Sequence, residues 1–221
     1  MLRDGYWAGQ ACYIVGGGPS LRDFDFSLLR DRRTIVINAA IFDVPWADIW
    51  ISEDERFIRR FANDPVWRSF AGVKVLSLLN DAYRLPVLEL DPRVFIIKAR
   101  EKRYGWSTKL SEGLSQSSNS AIPALNLADI LGADPIYVLG IDGKRSKDKR
   151  SHYHDRYPSD WAIGDGQLAS FRSDFEHWAA LHLAHRKVIN LNPDSAVTCW
   201  PKIDRDAHFR LDVSHAVSFE P

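Results

Sequence analysis

Short runs of apolar, mostly β-branched residues recur along the chain and predict buried strands. The runs cover residues 11–15, 34–37, 48–52, 73–78, 94–97, 136–141 and 188–191. Each run is continuously apolar and does not alternate with polar residues, which is typical of parallel strands that are covered on both faces. The pattern therefore predicts a mostly parallel sheet at the centre of the fold.

Three segments between these strands have the residue spacing of helices: 53–61, 119–131 and 167–185. Asn119 suits the N-cap of the second helix, Pro123 falls in its first turn, and Gly132 follows its end. This alternation predicts one α/β domain over residues 1–221, Rossmann-like, with helices on both faces of the sheet. The polar segments 100–118 and 143–166 are predicted to be active-site loops, and residues 204–221 a C-terminal extension.

Charge and composition exclude several classes of protein. The 29 Lys and Arg residues balance 29 Asp and Glu residues, so no overall field draws the chain to nucleic acids or to lipid. The apolar runs are shorter than the roughly 20 residues of a membrane span, and the N-terminus lacks the pattern of a signal peptide. We therefore expect a cytoplasmic protein without a membrane span or general nucleic-acid binding, and we leave homo-oligomer formation open.

A glycine-rich segment directly follows the first predicted strand. It consists of Gly16, Gly17, Gly18, Pro19 and Ser20. Glycines let the backbone approach a ligand closely, and successive N–H groups with a serine hydroxyl can bind a phosphate. The segment is neither a dinucleotide fingerprint nor a P-loop. A tight turn that requires positive φ is an equally good explanation.

Polar side chains also occur at the ends of other predicted elements. Asn38, Asp142, Asn192 and Ser195 follow strands, and Ser118, Asn119 and Ser120 precede a helix. Ligands bind at the carboxyl ends of parallel strands, and helix N-termini favour anions, so these positions are candidate ligand contacts. Turn formation and helix capping are the alternatives. Glu53 and Asp54 also follow a strand, but the helix predicted to begin there explains these acids.

Two histidines, His152 and His154, lie in the polar segment 143–166. Separated by one residue, they project to the same side of an extended chain, and either can act as a general base near neutral pH. A zinc site would need a third protein ligand, and no acid has a diagnostic spacing, so no metal site is predicted. An ordinary surface loop is the alternative.

A basic stretch precedes these histidines. Five of the seven residues from 144 to 150 are basic, beginning with Lys144 and Arg145. Such a patch can neutralise a phosphate leaving group, although a solvated loop explains most of the individual side chains.

Taken in order, these segments resemble the bacterial family 42 sialyltransferases. The resemblance rests on the Gly-Gly-Gly-Pro-Ser-Leu loop, Asn38, the block from Ser118 to Asp142, Ser151-His152-Tyr153 and Asn192-Pro193-Asp194-Ser195. The middle block also resembles the 6-hydroxymethylpterin diphosphokinase-like proteins. A group of phage and prophage proteins shares the glycine loop, Asn-Ala-Ala, Pro-Trp-Ala-Asp and the His-x-His segment. The resemblance covers most of residues 10–200.

The sialyltransferase resemblance implies a small-molecule nucleotide-sugar donor of the CMP type and His152 as the catalytic base, with no metal. The implied donor contacts are Gly18, Ser20, Asn38, Ser118 and Asp142. The family places two tyrosines soon after the Gly-Ile-Asp tip, where this chain has Lys144, Arg145 and Lys147. We therefore expect a nucleotide-binding glycosyltransferase whose sugar and acceptor the residues do not specify.

Two alternatives stay open at this point. The pterin-kinase resemblance implies ATP, Mg²⁺ and pyrophosphoryl transfer, with Asp54 or Asp142 as metal ligands. A phage accessory or assembly protein that keeps the fold without catalysis is the other.

Overall fold

Seven parallel strands form one sheet in the computed structural model, which describes residues 2–78, 93–98 and 105–216. The strands are β1 Cys12–Val15, β2 Arg33–Ile37, β3 Ile49–Ser52, β4 Val73–Leu78, β5 Val94–Lys98, β6 Ile136–Leu139 and β7 Val188–Asn190. All seven coincide with runs predicted from the sequence. The predicted Rossmann-like α/β fold with a parallel sheet is therefore confirmed.

The order of the strands places one reversal in the middle of the sheet. The order is β5-β4-β3-β2-β1-β6-β7, so the chain builds outward from β1 in one direction and then returns to its other side with β6. Cys12 pairs with Arg33 of β2 and with Ile136 of β6. In open parallel sheets, ligands bind at the carboxyl ends of the strands beside such a reversal. The loops that follow β1 and β6 meet there.

The helices cover both faces of the sheet. They are α1 Glu55–Phe61, α2 Pro65–Ser69, α3 Ala121–Ile130, α4 Asp165–Asp174, α5 Ala180–His182 and α6 Arg205–Ala216, with a π-helical turn at Phe175–Ala179 between α4 and α5. All ten residues of α3 are buried, because this apolar helix lies in the larger of the two side-chain cores that flank the sheet. Among the helices that the structure describes, none is long and apolar enough to cross a membrane.

The ends of the predicted helices follow the expected capping chemistry with small corrections. The N-cap of α3 is Ser120 and not Asn119 as predicted, but Asn119, one residue earlier, still accepts a hydrogen bond from Ala121 N through its Oδ1 at 3.1 Å. Gly132 ends the segment with φ of 81°. The first helix begins later than predicted, because Asp54 caps it by accepting from Arg56 N at 2.9 Å. Glu53 therefore precedes the helix.

The predicted loops contain short helical turns. Residues 105–118 include a 3-10 turn at Leu110–Glu112, and the remaining residues of the predicted loop, 100–104, lie outside the described residues. Residues 143–166 include a 3-10 turn at Ser159–Trp161. The C-terminal extension contains α6, which packs through Phe209 on Tyr13, with ring centroids 5.7 Å apart.

Candidate functional site

A cavity of about 420 Å³ lies at the carboxyl ends of the strands, beside the reversal between β1 and β6. This volume is in the usual range for sites that bind small molecules. Of the residues predicted from the sequence, the cavity lining includes Gly16, Gly17, Gly18, Pro19, Asn38, Ser118, Asn119, Ser120, Asp142, Lys144 and His152. A larger and more open pocket lies at the amino ends of the strands, near Gln10 and Asp48, away from all of these residues. The smaller cavity is therefore the candidate site.

The glycine segment packs closely against the tip of β6. Gly16 N donates to Leu139 O at 2.8 Å, and Gly18 N donates to Gly140 O at 2.9 Å. A Cβ atom on Gly18 would lie 2.5 Å from Asp142 Oδ2 and 2.6 Å from Gly140 O. None of the three glycines has positive φ, so the explanation by a positive-φ turn is wrong. Close backbone packing requires the glycine at position 18.

Hydrogen bonds to Asp142 join the glycine segment to the loop that follows β6. Its carboxylate accepts hydrogen bonds from Ser20 N at 2.8 Å, from Ser20 Oγ at 2.7 Å and from Asn192 Nδ2 at 2.7 Å. Ser195 Oγ donates to Ile141 O at 2.8 Å on the same strand end. The structure thus brings these four predicted residues together. Ser20, Asn192 and Ser195 stand behind the cavity wall and not in the lining.

Asn38 faces the cavity from the end of β2. Its φ is 50°, in the left-handed region that asparagine adopts more readily than most residues other than glycine. Trp50 Nε1 donates to its carbonyl oxygen at 2.9 Å, which holds the backbone in place. The side-chain Oδ1 is buried and has no hydrogen-bond partner among the described residues. A buried polar atom without a partner requires an explanation, and binding of a ligand at this position would supply one.

The serines that precede α3 bind a carboxylate of the chain itself. Asp174 Oδ2 accepts from Ser117 Oγ at 3.0 Å, from Ser118 N at 3.1 Å and from Ser118 Oγ. The predicted anion site is therefore occupied by a side chain of α4, and the first N–H of α3 is capped by Asn119. Ligand binding by this segment stays a prediction, since the carboxylate that it contacts in the structure belongs to the chain itself.

His152 stands over the glycine segment inside the cavity. A Cβ atom on Gly17 would lie 3.3 Å from its Cδ2 atom, and its Nδ1 lies 3.0 Å from Ser151 Oγ. Burial lowers the pKa of His152 from 6.5 to about 4. The imidazole is therefore uncharged at neutral pH.

His154 lies beneath His152 and outside the cavity lining. The two rings are stacked with centroids 5.5 Å apart, and His154 Nδ1 accepts from Arg156 N at 3.3 Å. Burial, and then the positive charges that His152 and Arg156 can carry, lower the pKa of His154 to about 4. Its position supports the orientation of His152.

Two residues that the sequence analysis missed hold the histidine segment. Asp43 accepts from Tyr153 Oη at 2.6 Å and forms two hydrogen bonds with Arg156, at 2.7 and 2.8 Å. The Tyr157 ring meets His152 edge-on, with centroids 4.8 Å apart. Neither residue belongs to a sequence motif, and only the folded chain brings Asp43 to the histidines.

The basic stretch contributes one described side chain to the cavity lining. Lys144 lines the cavity and forms no ion pair with any residue that the structure describes. Arg145 instead donates to Ile163 O at 3.0 Å and lies 3.4 Å from Asp165. The prediction that most of the stretch is a solvated loop therefore describes it better than a continuous cationic patch.

Glu53 was explained from the sequence as an acid that favours the start of a helix, and the structure gives it a different setting. It lines the cavity at the end of β3, and its Oε2 is buried without a hydrogen-bond partner among the described residues. Burial first, and then the negative charges of Asp174 and Asp54, raise the pKa of Glu53 to about 8. Its carboxyl group is therefore protonated at neutral pH.

Comparison with known proteins places the fold. No protein-family model and no curated protein matches the chain. The MAf glycosyltransferase from Magnetospirillum magneticum AMB-1 superposes with a TM-score of 0.64 and 15% identity, over 98% of this chain and 38% of that one. The sialyltransferase CstII from Campylobacter jejuni, solved with the substrate analogue cytidine-5′-monophosphate, superposes with a TM-score of 0.51 and 14% identity, over 89% of this chain and 85% of that one. The chain has the fold of these glycosyltransferases.

The glycosyltransferase-like fold does not by itself supply a metal site. Within residues 2–78, 93–98 and 105–216, no three His, Cys, Asp or Glu side chains are grouped so that they could hold a metal ion. The Asp54 carboxylate accepts hydrogen bonds from the backbone N and the side chain of Arg56. The Asp142 carboxylate accepts hydrogen bonds from Ser20 and Asn192. These two aspartates therefore do not form the open oxygen site that the pyrophosphokinase alternative requires for Mg²⁺.

Proposed function

We propose that this protein is a glycosyltransferase that binds a nucleotide sugar of the CMP type in the cavity and uses His152 as its general base. One observation carries the proposal. An uncharged imidazole stands directly over the glycine segment, at the carboxyl ends of a parallel sheet with a glycosyltransferase-like fold. The chain spans only 38% of the length of the MAf enzyme, so the activity of that whole enzyme is not carried over to this chain.

The donor phosphate fits the end of the cavity formed by the loops after β1 and β6. Gly17 N donates to no described residue, and the Lys144 ammonium lines the same space without an ion-pair partner there. A backbone N–H and an ammonium group are suitable donors for a phosphate oxygen. As the bond from the sugar to the phosphate breaks, Lys144 would neutralise the charge that develops on the departing nucleotide.

His152 would remove the proton of the attacking hydroxyl group. If Nδ1 carries the proton and donates to Ser151 Oγ, the Nε2 lone pair is free to accept it. Ser151 Oγ is held by a hydrogen bond from Ile163 N at 3.2 Å, so it can orient the ring. The acceptor oxygen then forms its bond to the anomeric carbon, the nucleotide leaves with the bonding electron pair, and His152 retains the proton until it is released to water.

Hydrolysis of the donor tests this function without knowledge of the acceptor, since water can take the place of the acceptor hydroxyl. The substrate is CMP-N-acetylneuraminic acid, and release of free CMP is measured for the wild type, His152→Ala and the distant control His185→Ala. We expect His152→Ala to bind CMP within about threefold of the wild type and to lose about 10²-fold or more in turnover. The control should keep both properties.

Other outcomes would favour the remaining alternatives. Thermal stabilisation by ATP that depends on Mg²⁺, without any response to CMP, would support the pyrophosphokinase class. Binding of no nucleotide at all, together with a stable oligomer, would support the non-catalytic assembly role. Equal loss of CMP binding and of turnover in His152→Ala would make His152 a ligand-holding residue.

A further inference from the structure

Two buried oxygen atoms beside the cavity lack the hydrogen bonds that buried oxygens normally receive. They are Asn38 Oδ1 at the end of β2 and Glu53 Oε2 at the end of β3, and neither has a partner among the described residues. The two strands are neighbours, with Ile37 paired to Ile51, so both side chains belong to the same end of the cavity. Other described residues also have buried polar atoms without a partner, but of those residues Asn38 and Glu53 are the two that line the cavity. An unsatisfied buried polar atom requires an explanation, and a ligand that completes its hydrogen bonding is one.

The charges around this end of the cavity disfavour an anion. Asp54 and Asp174 are the charged groups that act on Glu53, and Asp174 is held by serine hydroxyls and forms no ion pair with a described residue. The other charged or titratable side chains that line the cavity are Glu55, Arg56, Asp142, Lys144, His152, Tyr157 and Asp160. Arg56 is committed to Asp54 through two side-chain hydrogen bonds. A phosphate or carboxylate is therefore better placed near Lys144 and the glycine segment.

Hydroxyl groups suit this end of the cavity, both as hydrogen-bond partners for the two oxygens and in their lack of charge. A hydroxyl is uncharged, so the neighbouring carboxylates do not repel it, and it can donate to Asn38 Oδ1 or to a carboxyl oxygen. A protonated Glu53 can in turn donate to a hydroxyl oxygen, which an ionised carboxylate cannot do. Sugars and ribose present hydroxyl groups in adjacent pairs, which matches two oxygens at neighbouring strand ends.

We propose that Asn38 and Glu53 form a specificity subsite for the hydroxyl groups of the bound nucleotide sugar, either those of its ribose or those of its glycosyl group. The proposal rests on the proposed function, because it requires a nucleotide sugar in this cavity. It adds a division of the cavity into a phosphate end at β1 and β6 and a hydroxyl end at β2 and β3.

Calorimetric titration at pH 7 with CMP, 2′-deoxy-CMP and CMP-N-acetylneuraminic acid tests the subsite. The proteins are the wild type, Glu53→Gln, Glu53→Ala and Asn38→Gly, which keeps the left-handed backbone available, with Asp23→Ala as a control acid that is exposed and lies outside the cavity lining. We expect Glu53→Ala and Asn38→Gly to lose about tenfold in affinity, while Glu53→Gln and the control stay within about threefold of the wild type. If the subsite binds the ribose, 2′-deoxy-CMP should bind weakly to the wild type, and its affinity should not change in these variants. If the subsite binds the glycosyl group, only the affinity for CMP-N-acetylneuraminic acid should fall in the variants.

The dependence of affinity on pH supplies a second readout. A ligand that closes the cavity favours the uncharged form of Glu53, so wild-type affinity should fall by up to about tenfold per pH unit above pH 8. Glu53→Gln should show a flat profile over the same range. Unchanged affinity of Glu53→Ala for all three ligands, or the same pH profile in Glu53→Gln as in the wild type, would overturn the subsite. The proposed function would still stand in that case if the wild type binds CMP. If the wild type binds none of the three ligands, both proposals fail.

Discussion

The Asp142 carboxylate holds Ser20 by two hydrogen bonds, one from the backbone N at 2.8 Å and one from Oγ at 2.7 Å. These bonds join loops that are 122 residues apart in the sequence and set the shape of the glycine segment. In Asp142→Asn, an amide NH₂ group replaces one of the two oxygens and faces a donor. We expect the free energy of unfolding to fall by about 2–4 kcal/mol, as measured by urea denaturation. A change below about 0.5 kcal/mol would contradict this role of Asp142.

Alanine substitutions at two adjacent glycines should have separate effects. In Gly18→Ala the new Cβ would lie 2.6 Å from the backbone oxygen of Gly140, so we expect a loss of about 2 kcal/mol or more in stability. In Gly17→Ala the Cβ would lie 3.3 Å from His152 Cδ2, which a small ring movement can accommodate. Gly17→Ala should therefore retain its melting temperature and lose turnover of the nucleotide sugar. Comparable melting temperatures for the two variants would be inconsistent with the packing described.

Asp43 should act as a positioning residue for His152, because it anchors Tyr153 and Arg156 without lining the cavity. In Asp43→Ala we expect kcat for donor hydrolysis to fall about tenfold or more, while the Kd for CMP changes little. Tyr153→Phe, which removes only one of the three hydrogen bonds to Asp43, serves as the milder comparison. A loss confined to CMP affinity would show that Asp43 shapes the binding site instead.

The buried histidines should make stability depend on pH. The pKa of His152 and of His154 is about 4 in the folded protein and about 6.5 in the unfolded chain, so the unfolded chain binds more protons between these values. Their contribution is complete above pH 6.5 and is lost as the pH falls towards 4. We expect the melting temperature of the wild type to fall more steeply over this range than that of the double variant His152→Gln/His154→Gln.

Glu53 should act in the opposite direction. Its pKa rises from 4.5 to about 8 on folding, so its contribution is complete below pH 4.5 and is lost as the pH rises through 8. Melting curves of Glu53→Gln between pH 6 and 9 should therefore show a weaker decline than those of the wild type. Parallel declines would mean that Glu53 is ionised in the folded protein at neutral pH.

The strands were predictable because a parallel sheet buried on both faces requires continuous apolar runs, and residues such as Ile35, Val36 and Ile37 supply them. The short helix α2 and the C-terminal helix α6 were not predicted. The first has only five residues, and the second has a mostly polar sequence in which Phe209 is the one buried residue among positions 205–211. Local pattern alone gives little sign of such helices.

The candidate site was predictable in its glycine segment, Asn38, Lys144 and His152, since strand ends and glycines mark ligand crevices in this class of sheet. The residues that support this site from other parts of the chain were not predictable. Asp43 and Arg156 meet across 113 residues, and the unusual state of Glu53 arises from burial near Asp174, which no spacing along the chain reveals. Ser20, Asn192 and Ser195, which lie around Asp142, differ from these residues, because their side chains form hydrogen bonds that join loops and do not line the cavity.

Donor binding and donor turnover, measured together in one variant, test most directly whether His152 is the general base for a bound nucleotide sugar. CMP affinity by calorimetry and release of CMP from CMP-N-acetylneuraminic acid are measured side by side for the wild type and His152→Ala at pH 7. We expect both proteins to bind CMP with similar Kd and only the wild type to turn the donor over at a substantial rate. Undiminished turnover in His152→Ala, or absence of CMP binding in the wild type, would contradict it.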